Sequence, residues 1–162
     1  IEDDYDALLF VDSDTFFNPL HIIEVLKNER DVIALPVINK GDEEGYNVKC
    51  NLDETPVTPY ISVEAVGTGC MKLSKKILKV LAENSEETIF RGKKVKNICQ
   101  YKFDTDSFIG EDINLCYKIR SLGFTIWVAT ETTCMHIGPK IYSGNFKNVL
   151  INLNKKLYQE TE

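Results

Sequence analysis

The sequence predicts an α/β domain with a mixed, mostly parallel central sheet flanked by helices, and three observations carry that prediction. Short continuous apolar runs that end in turn formers, "YDALLFV" at 5–11 and "DVIALPVI" at 31–38, have the character of strands buried on both faces. Between them an amphipathic segment opens at Asn18-Pro19, so strand, helix and strand form a βαβ unit. A length of 162 residues, 43% hydrophobic and 27% charged, suits one globular domain spanning 1–162.

Each element follows from its residues. Tyr5 to Val11 forms the first strand, ending at Asp12. Asn18 caps a helix with Pro19 at its first position, Leu20, Ile23 and Leu26 supply the apolar stripe, and the helix stops near Asn28. Asp31 to Ile38 is the second strand, and the Gly- and Pro-punctuated stretch 39–60 reads as a long loop or hairpin excursion. Ile61 to Val66 alternates as a half-buried strand does, and beyond Gly67-Thr68-Gly69 the residues "CMKL" continue extended to Ser74. Ser74 caps a helix to about Glu83 with Ile77, Leu78 and Leu81 facing inward. Residues 84–109 show little periodicity and read as loop with short strand pieces. Ile113, Cys116, Ile119 and Leu122 then repeat at helical spacing up to a stop at Gly123. Phe124 to Ala129 is a further strand, and Phe146 to about Leu157 a last helix with Phe146, Val149, Leu150, Leu153 and Leu157 on one stripe.

Composition narrows the function classes. A net charge of -6 argues against general affinity for nucleic acid, whose phosphates reward clustered cations, and Lys93, Lys94 and Lys96 read as a solvated face. Five widely spaced cysteines (Cys50, Cys70, Cys99, Cys116, Cys134), without a C-x-x-C pair, fit free thiols in a reducing compartment and hence a cytoplasmic location. No apolar run reaches the roughly 20 residues of a membrane span, and no signal-peptide pattern opens the chain. Because the first strand arrives without a neighbour ahead of it, an upstream segment of the same protein is expected.

Asp12 and Asp14 are the first candidates for chemistry. In an extended segment residues i and i+2 point the same way, so both carboxylates would share one side at a strand's C-terminal end, where open α/β sheets bind ligands. The competing reading is that Asp14 and Thr15 satisfy turn amides. Phe16 occupies the next ligand position of an EF-hand loop, with no glycine following in register, which excludes that site. Gly110-Glu111-Asp112 opens a helix, where carboxylates either cap free amides or serve as a general base. His136, in "TTCMHIG", is either a satisfied buried imidazole or a ligand. His21 falls on the polar side of the first helix and reads as surface, and the second D-x-D, 104–106, lies in a polar loop and reads as a decoy.

Taken together and in this order, "LLFVDSDTFFNP", "VEAVGTGCMKLSKKIL", "GEDINLCYKIRSLGFTIWVA" and "MHIG" resemble the glycosyltransferases of the GT-A fold, especially the family-two type, over roughly Tyr5 to Gly138. The resemblance implies a Rossmann-like core that lacks the usual N-terminal nucleotide-binding strands. It implies that Asp14 coordinates Mn²⁺ or Mg²⁺ bridging the diphosphate of a nucleotide-sugar, that Asp12 contacts the ribose or a metal-bound water, and that His136 completes the metal shell. Asp112 would be the general base, Glu111 would orient the acceptor or support that base, and Gly67, Thr68 and Gly69 would let backbone approach the sugar. The expected reaction is transfer of a sugar, with inversion, to a hydroxyl of a glycan or other acceptor. Two alternatives stand beside it. A haloacid-dehalogenase phosphatase would use Asp12 as nucleophile, although Phe16 sits where its Thr or Val belongs; a carbohydrate-binding fragment would carry no catalysis.

Overall fold

A computed structural model of the chain describes residues 4–50, 57–104 and 107–159. In chain order it contains β1 (Ala7–Val11), β2 (Thr15–Phe17), α1 (Pro19–Lys27), β3 (Val32–Ala34), β4 (Val48–Lys49), β5 (Tyr60–Val63), β6 (Ala65–Val66), β7 (Cys70–Ser74) and α2 (Lys75–Glu83). There follow β8 (Glu87–Phe90), β9 (Lys93–Lys96), β10 (Lys102–Asp104), β11 (Ser107–Ile109), α3 (Glu111–Ser121), β12 (Ile126–Ala129), β13 (Thr133–Ile137), β14 (Ile141–Asn145) and α4 (Phe146–Gln159). Thr105 and Asp106 of the second D-x-D lie outside the described residues. No helix among the described residues is long and apolar enough to cross a membrane.

The main sheet runs β1-β7-β3-β12-β5, and a three-stranded sheet runs β14-β13-β2; the remaining described strands form two-stranded pairs. In the main sheet only β3 and β12 are parallel, and every other described pairing is antiparallel. This overturns the mostly parallel central sheet flanked by helices: small, mostly antiparallel sheets dominate, and the Rossmann-like core does not form. The physical reason lies in which strands pair. Beyond the turn at 68–69 the chain, read as continuing the preceding strand, crosses over and inserts as β7 between β1 and β3, antiparallel to both and in the same direction as β5. Apolar periodicity reports which residues are buried but carries no information on strand direction. β1 is an edge strand with Leu8 and Val11 exposed, although its apolar run reads as fully buried. The second strand is also shorter than 31–38, because Pro36 has no N–H to extend the ladder.

Alternation along β3 divides the core. Val32 and Ala34 face a large cluster with Met71, Leu73, Ile77, Leu81, Leu115, Ile119, Phe146 and Leu150, while Ile33 and Leu35 face a smaller one with Val25, Cys70 and Ala129. Each fully buried Leu, Ile or Met contributes about 1.5–3 kcal/mol by leaving water. On α1, Leu20, Ile23 and Leu26 are exposed while Val25 is buried and Ile22 packs inward, so the expected stripe faces solvent. Apolar residues at 20, 22, 23, 25 and 26 make overlapping stripes, and periodicity alone cannot choose between them.

Asp31 ties this sheet to α2. Ser74 Oγ donates to Asp31 Oδ1 at 2.7 Å, Lys76 Nζ donates to Oδ2 at 2.9 Å, and Ser74 N donates to the Asp31 carbonyl at 2.8 Å. Partial burial pushes the Asp31 carboxyl up, but the Lys76 and Ser74 hydrogen bonds outweigh it and hold the group below its ordinary value. A lowered folded pKa contributes stability above the unfolded value, near 3.9, and loses it as pH falls through the folded one. Asp31→Asn is therefore expected to cost on the order of 1 kcal/mol at neutral pH. Urea melts of both proteins across pH should show that gap closing as pH falls below about 4.

Candidate functional site

The ladder between β1 and β7 extends one residue past β1, with Asp12 N donating to Gly69 O at 2.9 Å. The D-x-D segment then turns instead of continuing extended, because Thr15 donates to the Asp12 carbonyl through N at 3.4 Å and through Oγ1 at 2.9 Å. The two aspartates diverge as a result. Asp12 Oδ2 faces the backbone of Gly69, where a Cβ would come within 3.1 Å of it. Asp14 faces β13, because Thr15 pairs with His136 and Ile137 N donates to the Asp14 carbonyl at 2.8 Å.

His136 Nε2 lies 3.5 Å from Asp14 Oδ2, and Lys40 Nζ lies 2.6 Å from the same oxygen. His136 Nδ1 is 2.8 Å from the Ile38 carbonyl; since a carbonyl only accepts, Nδ1 carries the proton. Nε2 then faces the carboxylate as a bare lone pair, which is repulsive, with a proton of its own, or with a cation between them. The Lys40 hydrogen bond, with a smaller contribution from His136, holds the Asp14 carboxyl below its ordinary value, so it is ionised at neutral pH. An imidazole nitrogen and a carboxylate oxygen suit a divalent ion such as Mn²⁺, and the Lys40 ammonium is a positive charge already standing at that oxygen. Asp12 does not join them, and the described residues hold no cluster of at least three His, Cys, Asp or Glu able to hold a metal. A cation here would take two ligands from the protein and the remainder from a ligand or water.

The second half of the site lies across the glycine turn. Gly67 N donates to the Asn47 carbonyl at 3.0 Å, and Asn47 Nδ2 donates to Asp112 Oδ2 at 3.2 Å. A side chain at Gly67 would collide with the Asn47 amide and come within 3.4 Å of Asp112 Oδ2; one at Gly69 would press on Val37. Absence of a Cβ at both positions is what lets backbone approach two carboxylates so closely. Half-buried Thr68 sits between them, so the turn separates Asp12 on one side from Asp112 on the other. Asp112 Oδ1 accepts from Ile113 N at 2.7 Å in the first turn of α3, where the helix dipole favours negative charge. Glu111 is exposed and accepts from the Tyr101 hydroxyl, raising that phenol above its ordinary value.

The structure thus brings together Asp14 with His136, Asp12 with Gly69, and Gly67 with Asp112. Lys40 and Asn47 are site residues that sequence reading missed, since they lie in the stretch 39–60 that carries no periodic signal. His21 is half-buried, not on the surface: its Nδ1 is buried without a hydrogen-bond partner, beside a cavity of about 130 Å³ lined by Leu35, Ala129 and Thr132. A larger cleft of about 780 Å³, between 44–50 and α4, includes none of the candidate residues.

No protein-family model matches the sequence, and no curated protein matches it. A solved structure, A197 from STIV, shares the fold: TM-score 0.51 at 19% identity, over 83% of this chain and 59% of A197. The chain therefore spans about 59% of the length of A197. The resemblance to family-two GT-A glycosyltransferases is overturned: no family model supports it, and the described sheets are mostly antiparallel. Motifs of three or four residues, each with a local reading as a turn, a helix cap or a satisfied imidazole, are too short to carry a family assignment.

Proposed function

We propose that the chain transfers a sugar from a nucleotide-sugar donor to an acceptor hydroxyl with the help of a divalent cation. The reading rests on the arrangement of residues, not on membership of a family. One observation carries it: Asp14 Oδ2 and His136 Nε2 face each other across 3.5 Å, an oxygen and a nitrogen placed as two ligands of one cation, where the Lys40 ammonium now stands at the oxygen. Across the glycine turn from Asp12, Asp112 stands with its carboxylate steered by Asn47.

In this reading Asp14 and His136 would hold Mn²⁺ or Mg²⁺, which when bound neutralises charge developing on a departing diphosphate. Asp12 accepts a hydrogen bond from the donor's ribose, and Lys40, released from Asp14, offers its ammonium to a phosphate oxygen. The bare backbone of Gly67 and Gly69 lets the turn pass close to both carboxylates, with Asn47 and Val37 filling the space that side chains there would take. Asp112 takes the proton of the acceptor hydroxyl, a role worth about 10²–10⁴-fold in rate. Its bonds from Asn47 Nδ2 and Ile113 N fix the carboxylate's direction, and holding donor and acceptor in line supplies further barrier reduction. A single base facing the leaving group gives inversion at the anomeric carbon.

Calorimetric titration of Mn²⁺ with and without uridine or guanosine diphosphate tests the reading. Each ligand is expected to tighten the other's binding by the same factor, as linkage requires, roughly tenfold or more. Absence of Mn²⁺ binding both with and without the diphosphates would refute it.

A further inference from the structure

Immediately before α3, β10 and β11 pair as a short hairpin with Phe103 directly opposite Phe108. Tyr101 stacks on Phe108 with ring centroids 5.2 Å apart and planes 25° apart, and Phe103 tilts against Phe108 at 5.3 Å and 50°. All three rings are open to solvent: Tyr101 is 55% exposed, Phe108 60% and Phe103 78%. Contiguous exposed aromatic surface of this kind marks an interaction site, because leaving it wet forgoes the burial that such side chains normally supply. The patch is not purely apolar. The chain passes from Phe108 through Ile109 and Gly110 straight into Glu111 and Asp112, and the Tyr101 hydroxyl donates to Glu111.

Flat π faces beside carboxylates select among possible occupants. A nucleobase stacks on aromatic rings, but the phosphates of a nucleotide would be repelled by Glu111 and Asp112. An apolar peptide or lipid would bury Glu111 and the Tyr101 hydroxyl without new partners, at a desolvation cost. A neutral pyranose meets both demands, since its C–H face lies flat on an aromatic ring while its hydroxyls donate to carboxylates.

We propose that the β10–β11 hairpin is a sugar-binding platform that seats the acceptor, with Phe108 under the C–H face of a pyranose and a hydroxyl directed toward Glu111 and Asp112. This rests on the transfer reading for the direction of the hydroxyl, while the platform itself stands on the aromatic geometry. Saturation-transfer NMR with methyl β-glycosides of glucose, galactose, mannose and N-acetylglucosamine, and with their β-linked disaccharides, tests it without donor or metal. At least one probe should bind the parent protein, and Phe108→Ala should weaken it by tenfold or more. Phe108→Leu, which keeps apolar bulk for the hairpin but loses the flat face, should weaken binding to a similar degree. Tyr101→Phe keeps the ring and should lose only a few-fold. Mn²⁺-dependent nucleoside diphosphate binding should be unchanged in all three variants. If none of the probes binds the parent, or if Phe108→Leu binds them as the parent does, the platform is wrong. If the probes bind through Phe108 but Mn²⁺ and nucleoside diphosphate do not bind at all, the platform holds and the transfer reading fails.

Discussion

Asp112→Asn is expected to lower sugar transfer by about 10²–10⁴-fold at saturating donor and acceptor. The substitution preserves volume and leaves an amide oxygen able to accept from Ile113 N, so α3 should start as before. What it removes is the ability to take a proton, together with the second oxygen that accepts from Asn47 Nδ2. The loss corresponds to about 2.7–5.4 kcal/mol of barrier, and it should fall on turnover with little change in acceptor KM. Mn²⁺-dependent binding of a nucleoside diphosphate should stay within about twofold, since Asp112 and Asp14 occupy different parts of the site. Parent-like turnover in Asp112→Asn would remove the residue from the base role.

Asp14→Ala is expected to reduce Mn²⁺ affinity at least 100-fold and to abolish metal-dependent turnover, because it deletes the only carboxylate facing His136 Nε2 among the described residues. His136→Ala should also weaken Mn²⁺, leaving Asp14 to hold the ion with the diphosphate. Lys40→Met should act in the opposite direction on the metal alone. Its ammonium competes for Asp14 Oδ2 at 2.6 Å, so its removal should tighten Mn²⁺ several-fold while weakening the diphosphate, whose phosphate it would otherwise meet. Acid should weaken Mn²⁺ binding, because Asp14 and His136 can both hold the ion only when deprotonated.

What could be read in the sequence is what local chemistry determines. Asn18 caps α1 by accepting from Leu20 N at 3.0 Å, and Ser74 caps α2 by accepting from Ile77 N at 3.3 Å, both as their positions before apolar stripes predict. Ile77, Leu78 and Leu81 are buried, as are Cys116 and Ile119, because a single well-separated stripe leaves no choice of face. On α1, overlapping stripes leave two choices of face, and the one with Ile22 and Val25 is buried. Strand direction is invisible for a different reason: it depends on which strands pair, and β7 inserts between strands distant from one another in sequence, antiparallel to both. The candidate site divides in the same way. Residue types and order single out Asp12, Asp14, Asp112 and His136, but the meeting of Asp14 with His136 depends on β2 pairing with β13 across more than 100 residues. β2 has three residues, too few to show alternation against a turn, and β14, which completes that sheet, gave no signal. Lys40 and Asn47 reach the site from an aperiodic stretch held by backbone bonds such as Asn47 N to Val37 O, which no spacing rule encodes.

The cation between Asp14 and His136 is the central claim, and Mn²⁺ itself reports its position through paramagnetic broadening of backbone amide signals. With substoichiometric Mn²⁺ and a nucleoside diphosphate present, the amides of Asp14, Thr15, His136 and Ile137 are expected to broaden beyond detection first, while those of β8 and β9 stay sharp. In Asp14→Ala the same signals should persist. Sharp signals for Asp14 and His136 in the parent protein, with Mn²⁺ and diphosphate both present, would contradict the assignment of this site.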